Sequence, residues 1–252
     1  MSLVHTVSGE QSRLRRASLY LFARYLEMPA LRWTYQLLRG RWRRVGANRA
    51  VRAALAWGVA APFARLGDTA RALPEPEVLR LLDELEGPIA VGPCRCRASH
   101  GGCDHPLETD IVIRTGVAAW TRAFPQDYRL IDRKEAKAIV GRCRRLGMWQ
   151  MVFVHCPVNK ENEYVICNCC ACGCVPTILN RDLGQRFYSL LPGHYRAVTD
   201  PALCTGRGDC VAACPFGARA LAGGRLEMAG PCFGCGLCVA ACPVGAIRMH
   251  HV

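Results

Sequence analysis

The sequence predicts an α+β fold in three parts. These are a basic helical N-terminal arm over 1–75, a cysteine-rich central domain over 79–200, and a C-terminal domain with pseudo-two-fold symmetry over 201–252. Three observations predict it. Arginine is concentrated at the start: residues 1–71 hold 13 Arg, no Lys and 3 acidic residues, a net +10 of the +13 on the whole chain. Most of the 17 cysteines fall in tight clusters in the second and third parts. Finally, CVAACPFGA at 210–218 returns as CVAACPVGA at 238–246, so one small supersecondary unit is written twice at an offset of 28 residues. At 252 residues and 51% hydrophobic, the chain is long enough to bury a core and to form more than one domain.

In the first part, Leu14, Ala17, Leu21, Tyr25 and Met28 recur at helical spacing, which predicts an amphipathic helix over 12–28 ending before Pro29. A second helix is expected over 48–61. Arginines alternate with Tyr20, Phe22, Tyr25, Trp33, Tyr35, Trp42, Trp57 and Phe63. The uncharged run Ala53 to Ala64 has 12 residues and contains Pro62, whereas a membrane span needs about 20 apolar residues. A transmembrane helix is therefore not expected. The first residues show no apolar stretch followed by a small-residue cleavage site, so no secretory signal is read and a cytoplasmic protein is expected.

Residues 72–78, ALPEPEV, read as a proline-rich linker. Val78 to Glu86 predicts a short helix, and Asp110 to Arg114 and Met148 to His155 predict strands. Asp132 followed by Glu135 has the spacing of a capping box, opening a helix through about Leu146 that Gly147 ends. This part also carries PCRCR at 93–97, Cys103, and CNCCACGC at 167–174. An extracellular disulfide framework fits these cysteines poorly. The odd total leaves one thiol over, and neighbours such as Cys169–Cys170 or Cys172 and Cys174 are too close along the chain to staple distant loops. Metal-bound thiolates in a reducing compartment fit better. In an extended segment Cys169 and Cys170 face opposite sides. Cys143 and Cys156 read as ordinary buried cysteines, and His100 and His105, flanking Cys103, as loop histidines.

The offset of 28 pairs Cys204 with Cys232, Cys210 with Cys238, Cys214 with Cys242, Gly206 with Gly234 and Gly208 with Gly236. The second copy reads Cys232-x2-Cys235-x2-Cys238-x3-Cys242-Pro243. This run resembles that of the bacterial two-cluster ferredoxin family, in which three cysteines of a run hold one cluster and the fourth crosses to the other. The resemblance implies a ferredoxin-like C-terminal fold. It also implies a [4Fe–4S] cluster on Cys214, Cys232, Cys235 and Cys238. The matching site would use Cys204, position 207, Cys210 and Cys242, but position 207 is Arg, which offers no lone pair to iron. Three outcomes stay open there. They are a [3Fe–4S] cluster, an atypical [4Fe–4S] cluster completed by hydroxide, Asp209 or a distant cysteine, or an empty site. The order of CxCR, Cys103, a helix and CNCC before the ferredoxin run is similar to that of uncharacterised bacterial and archaeal iron–sulfur proteins. That likeness implies further clusters on Cys94, Cys96, Cys103, Cys167, Cys169, Cys170, Cys172 and Cys174, with zinc or redox-active thiols as the competing readings.

The resemblance implies an iron–sulfur electron-transfer protein that carries several clusters and exchanges electrons with a partner oxidoreductase. Two other classes stay open. One is a reductase component with substrate at an upstream cluster having an open iron. The other is a redox sensor using the basic arm on nucleic acid. No catalytic residue is singled out, and no phosphate-cradling loop or dinucleotide fingerprint is present, so no small-molecule cofactor motif is read. The arm through residue 70 suits an acidic redox partner, whose association its charge would steer, or a peripheral position on an anionic membrane surface. Nucleic acid is the least supported of its three uses.

Overall fold

The computed structural model describes residues 20–61, 70–158, 161–183 and 190–252. The residues from 12 to 19 of the expected first helix, and Pro62 to Arg65 beyond the second, lie outside the described residues. Among those described, helices and strands are mixed throughout, giving an α+β fold.

A π-helical turn at Phe22–Leu26 runs into α1 (Glu27–Leu38), so the first helix does not stop before Pro29. The proline therefore lies inside a continuous helical stretch, just after the π-helical turn, where the regular hydrogen-bond ladder is already interrupted. A short α2 (Arg43–Gly46) follows. Then comes α3 (Arg49–Leu55), capped by the Asn48 side chain, which accepts from the Ala50 N–H at 2.8 Å, and it leads into a second π-helical stretch at Ala56–Ala60. Leu31, Leu38 and Leu55 are buried against Val175, Ile178 and Leu179, with the Cys96 side chain packed at the edge of this layer. The N-terminal helices thus cover part of the cysteine-rich region.

Residues 72–78 are not a linker. Ala70–Leu73 form β1, an interior strand, and Pro74 caps α4 (Glu75–Glu84), which has Pro76 in its first turn. The prolines that suggested a spacer mark a helix start, since proline fits the first helical positions. β2 (Ile89–Pro93), α5 (Arg95–His100), β3 (Glu108–Ile113), α6 (Thr115–Ala123), β4 (Arg129–Ile131) and α7 (Arg133–Arg145) follow. At the start of α7 the Asp132 side chain accepts from the Glu135 N–H at 2.6 Å. The Glu135 carboxylate turns to Arg129 at 2.7 Å rather than back to the cap, so half of the expected box is formed. β5 (Trp149–Val158), β6 (Glu161–Cys169), α8 (Val175–Leu183) and β7 (Leu190–Leu191) complete the central part.

The strands form one seven-stranded sheet in the order β4-β2-β3-β6-β5-β1-β7, antiparallel except for the β1–β7 pair. Alternation along the strands sorts the side chains onto two faces. One face places Ile111, Ile113, Val152 and Ile166 against Val78, Leu82, Ile139 and Val140 of α4 and α7. The other holds Ala90, Val112 and Val165 against α6, and Trp149, Met151 and Cys169 against the C-terminal unit.

That unit begins with β8 (Tyr195–Thr199), which pairs with β11 (Ile247–His251) at the end of the chain. Between them lie α9 (Asp209–Ala212), the hairpin β9 (Arg219–Ala222) and β10 (Arg225–Met228), and α10 (Leu237–Ala240). The repeat is visible in the backbone. Gly208 (φ 83°) and Gly236 (φ 75°) both cap their short helices in the left-handed region, which only glycine enters freely. The unit is fastened to the sheet domain by Arg144, which donates to Cys235 O at 3.2 Å and Gly236 O at 2.5 Å, and by Tyr195 Oη, which donates to Glu77 at 3.0 Å.

Candidate iron–sulfur and metal sites

The cysteines gather in four places. In the C-terminal unit, Cys204, Cys210 and Cys242 line one hollow together with Arg207, Asp209 and Pro243. Position 207 faces this hollow, as the repeat requires, but its guanidinium is exposed and pairs with Asp209 at 2.9 Å. Cys214, Cys235 and Cys238 are electrostatic neighbours, and Cys238 also feels Cys232 and, less strongly, Cys210. Burial is the largest influence on Cys235 and, with its thiol neighbours, pushes it up to about 12. Cys214 therefore stands with the second run and Cys242 with the first, each fourth cysteine crossed to the other set. Equivalent N–H groups point at these two crossed sulfurs: Ala218 N to Cys214 Sγ and Ala246 N to Cys242 Sγ, both 3.3 Å. Such bonds stabilise negative charge on sulfur. Arg219, 4% exposed, adds a buried cation near Cys238 and is held by Thr199 Oγ1 and the Ala197 carbonyl, each at 2.9 Å.

Upstream, the eight cysteines divide. The division follows from strand alternation at the end of β6 and the tight turn after it. Cys169 lies on the face that meets the C-terminal unit and Cys170 on the opposite face. Cys94 and Cys96 come from the start of α5, and Cys174 from the residue before α8. Cys96 is within bonding reach of Cys94 and Cys174, and Cys174 of Cys169. Donation from Cys169 and Cys96 holds the Cys174 thiol well below the ordinary cysteine range despite its burial. Bonding to Cys96 likewise lowers Cys94. These four form one thiol set, buried at Cys169 and Cys174 and half-buried at Cys94 and Cys96.

Cys103, Cys170 and Cys172 form the other. Their sulfurs stand 2.8 Å (103–172), 3.4 Å (103–170) and 3.4 Å (170–172) apart. His105 joins them, its Nδ1 3.2 Å from Cys103 Sγ. The sequence flags His105 only by its position beside Cys103, and the loop reading favoured there is corrected by its place at the sulfurs. Burial opposes ionisation of Cys103, but bonds from Cys172 and the His105 backbone N–H bring it down to about 7. The eighth cysteine, Cys167, stands apart from both sets: it donates to Asp110 Oδ1 at 3.1 Å, and burial lifts it well above the ordinary range. Cys143 lies on α7 and is fully buried against the sheet, and the Cys156 side chain lies outside the described residues.

Arg97 stands between the two upstream sets and is 1% exposed. One nitrogen donates to Asn168 O at 3.0 Å and approaches Cys170 Sγ at 3.7 Å; the other bonds Thr109 Oγ1. Gly173 makes this packing possible, since a Cβ there would meet Arg97 and Cys103 at 3.2 Å. Two buried donors near these cysteines, Arg97 Nε and Trp149 Nε1, have no partner among the described residues. Buried donors of this kind call for an acceptor, and the inorganic sulfides of a cluster are acceptors. The C-terminal sets and the set of Cys94, Cys96, Cys169 and Cys174 therefore fit iron–sulfur groups in chemistry as well as in residue type.

Residues 196–243 match the family model of the 4Fe-4S dicluster domain. The match spans all seven cysteines of the repeat. The C-terminal unit is thus an iron–sulfur, ferredoxin-like domain that holds at least a [4Fe–4S] cluster and has an electron-transfer role. No curated protein and no solved structure matches the chain. Among the described residues, no helix is long and apolar enough to cross a membrane.

Proposed function

We propose that the protein is a multi-cluster electron carrier or electron-transfer subunit, with the ferredoxin-like unit coupled to a further iron–sulfur site on Cys94, Cys96, Cys169 and Cys174. Bound in such sites, iron–sulfur clusters supply reversible one-electron chemistry. One observation carries the reading. Cys169 and Cys174 share a single apolar layer with Cys235, and the layer is filled by Trp149, Met151, Phe233 and Leu237, with Phe216 packed against it. Phe216 stacks on Phe233 at 4.3 Å and meets Trp149 edge-on at 5.5 Å. These side chains fill one buried apolar layer that both thiol sets border. Oxidised and reduced states therefore see a dry, fixed surrounding, which suits fast exchange. Two buried cations, Arg97 and Arg219, offset the negative charge that thiolate-bound iron brings.

The ligands proposed for the C-terminal unit are Cys214, Cys232, Cys235 and Cys238 for a [4Fe–4S] cluster, and Cys204, Cys210 and Cys242 for a [3Fe–4S] cluster. Pairing of Asp209 with Arg207 disfavours Asp209 as a fourth ligand at the second. The exposed arginines of the N-terminal helices, including Arg32, Arg41, Arg43, Arg44 and Arg49, form the face proposed to dock an acidic redox partner.

The test is iron and acid-labile sulfide per chain after strictly anaerobic purification. One [3Fe–4S] and two [4Fe–4S] clusters give about eleven irons. A fully loaded protein with about seven would confine the clusters to the C-terminal unit and remove the upstream site from the reading.

A further inference from the structure

We infer that Cys103, His105, Cys170 and Cys172 form a mononuclear metal site, separate from the iron–sulfur sites, that takes a single zinc ion. Among the described residues, this is the one group of cysteine, histidine and carboxylate side chains whose ligand atoms all lie within 4.8 Å of one another. Four thiolates on one tetrahedral ion with metal–sulfur bonds of about 2.3 Å stand roughly 3.8 Å apart. The three sulfurs here are 2.8–3.4 Å apart, and His105 Nδ1 is 3.2 Å from Cys103 and 3.5 Å from Cys172. A cubane binds each thiolate to a different iron at a different corner, so its ligand sulfurs cannot all crowd within 4.8 Å of one another as these do, whereas Cys94, Cys96, Cys169 and Cys174 meet only in pairs. The set is too compact for a cluster and near the size for one ion.

The histidine is prepared for the task. Its Nε2 lies 3.3 Å from the Leu146 carbonyl, which can only accept, so Nε2 carries the proton and the Nδ1 lone pair faces the sulfurs. Metal-bound histidines are held in this manner, by donation of the far N–H to a carbonyl or carboxylate. Three thiolates and a divalent ion leave one net negative charge, and the buried Arg97 guanidinium, 3.7 Å from Cys170 Sγ, supplies the opposite one. Three thiolates and one imidazole in a closed set select zinc over harder ions.

The placement assigns a role. The ion would tie the loop at 103–105 to the turn at 170–172, and that turn lies between Cys169 and Cys174 of the other thiol set. Zinc here holds in place the chain that presents two cysteines to the other site.

The experiment is elemental analysis of the full-length protein, purified anaerobically, for zinc, iron and sulfide together, on wild type, Cys172→Ser and His105→Ala. The expected result is one zinc per chain in wild type and none in the variants, with at least the iron and sulfide of the C-terminal unit retained. Zinc-edge X-ray absorption on wild type, which needs no variant to fold, should show three sulfurs and one nitrogen around the ion. Loss of iron and sulfide in Cys172→Ser from a zinc-free wild type would assign these residues to a cluster and overturn the inference. So would zinc that survives both substitutions, or a four-sulfur shell. A low iron count beside a normal zinc count would instead count against the upstream cluster alone.

Discussion

Replacing Arg97 by methionine, which keeps most of the volume but removes the charge, tests the electrostatic design of the upstream region. Arg97 is almost wholly buried, donates to Asn168 O at 3.0 Å and to Thr109, and approaches Cys170 Sγ at 3.7 Å. Each buried acceptor left without its donor costs about 1–3 kcal/mol. A unit charge at 3.7 Å from a thiolate, with an effective dielectric constant near 20, contributes about 4 kcal/mol. Metal binding needs the ionised thiol, so most of that figure falls on metal affinity, about a thousandfold at the upper limit. The expected outcome for Arg97→Met is a loss of about 3–5 kcal/mol in unfolding free energy, as for other buried pairs broken from one side. Metal should also leave the variant at far lower chelator concentrations. Urea unfolding of the loaded, anaerobic protein measures the first effect, and metal retained after graded chelator dialysis measures the second. Arg97→Lys keeps the charge but not the fork and should fall between. An Arg97→Met protein with the wild-type midpoint and full metal retention would overturn this account, because a cation in that position could not then be balancing ionised sulfur.

Phe216→Ala removes one stacked and one edge-on ring contact at the layer joining the two units. Because Phe216 is only partly buried, the cost should be about 2–3 kcal/mol, below the ~3–5 of a fully buried ring. Thermal unfolding checks this, and air bleaching of the loaded protein should quicken, while Phe216→Leu stays near wild type. Arg207→Cys returns a thiol to the hollow lined by Cys204, Cys210 and Cys242 and should raise iron by about one per chain relative to wild type; an unchanged count would argue against a three-iron site there. Burial lifts Cys143 to about 11, so at pH 8 it is a thiol and should resist iodoacetamide in the folded protein but react in urea, as read by mass spectrometry. A raised folded value favours the protonated, folded state below the ordinary cysteine value near 9, and this contribution is lost as pH climbs from there through 11.

The C-terminal unit is legible in the sequence because its information is local and repeated. Three-residue cysteine steps, the proline after the fourth, and glycines at matching positions state the cluster loops directly, and Gly208 and Gly236 adopt the same left-handed conformation that their shared place in the repeat implies. Strand alternation likewise predicts Cys169 and Cys170 on opposite sides, and they lie on opposite faces of the sheet. Local signals mislead where two structures share one signal. Prolines at 74 and 76 mark either a spacer or a helix start, and only the burial of Ala70, Ala72 and Leu73 in the sheet decides between them. Pro29 is likewise accommodated beside a π-helical turn, a feature that spacing alone does not reveal. The partition of the eight upstream cysteines is a tertiary outcome. Spacing marks them as ligands in character, but β6, the start of α5 and the turn before α8 meet only through sheet register and packing. That meeting joins Cys94 and Cys96 to Cys169 and Cys174, joins Cys103 to Cys170 and Cys172, and leaves Cys167 to Asp110. The same holds for His105, for Arg97 between the two sets, and for the aromatic layer against Cys235. Donor type and short spacing are written along the chain, and they set what chemistry it can hold. Which donors meet is settled only in three dimensions, because contacts between segments far apart in sequence depend on the cooperative burial of the whole core.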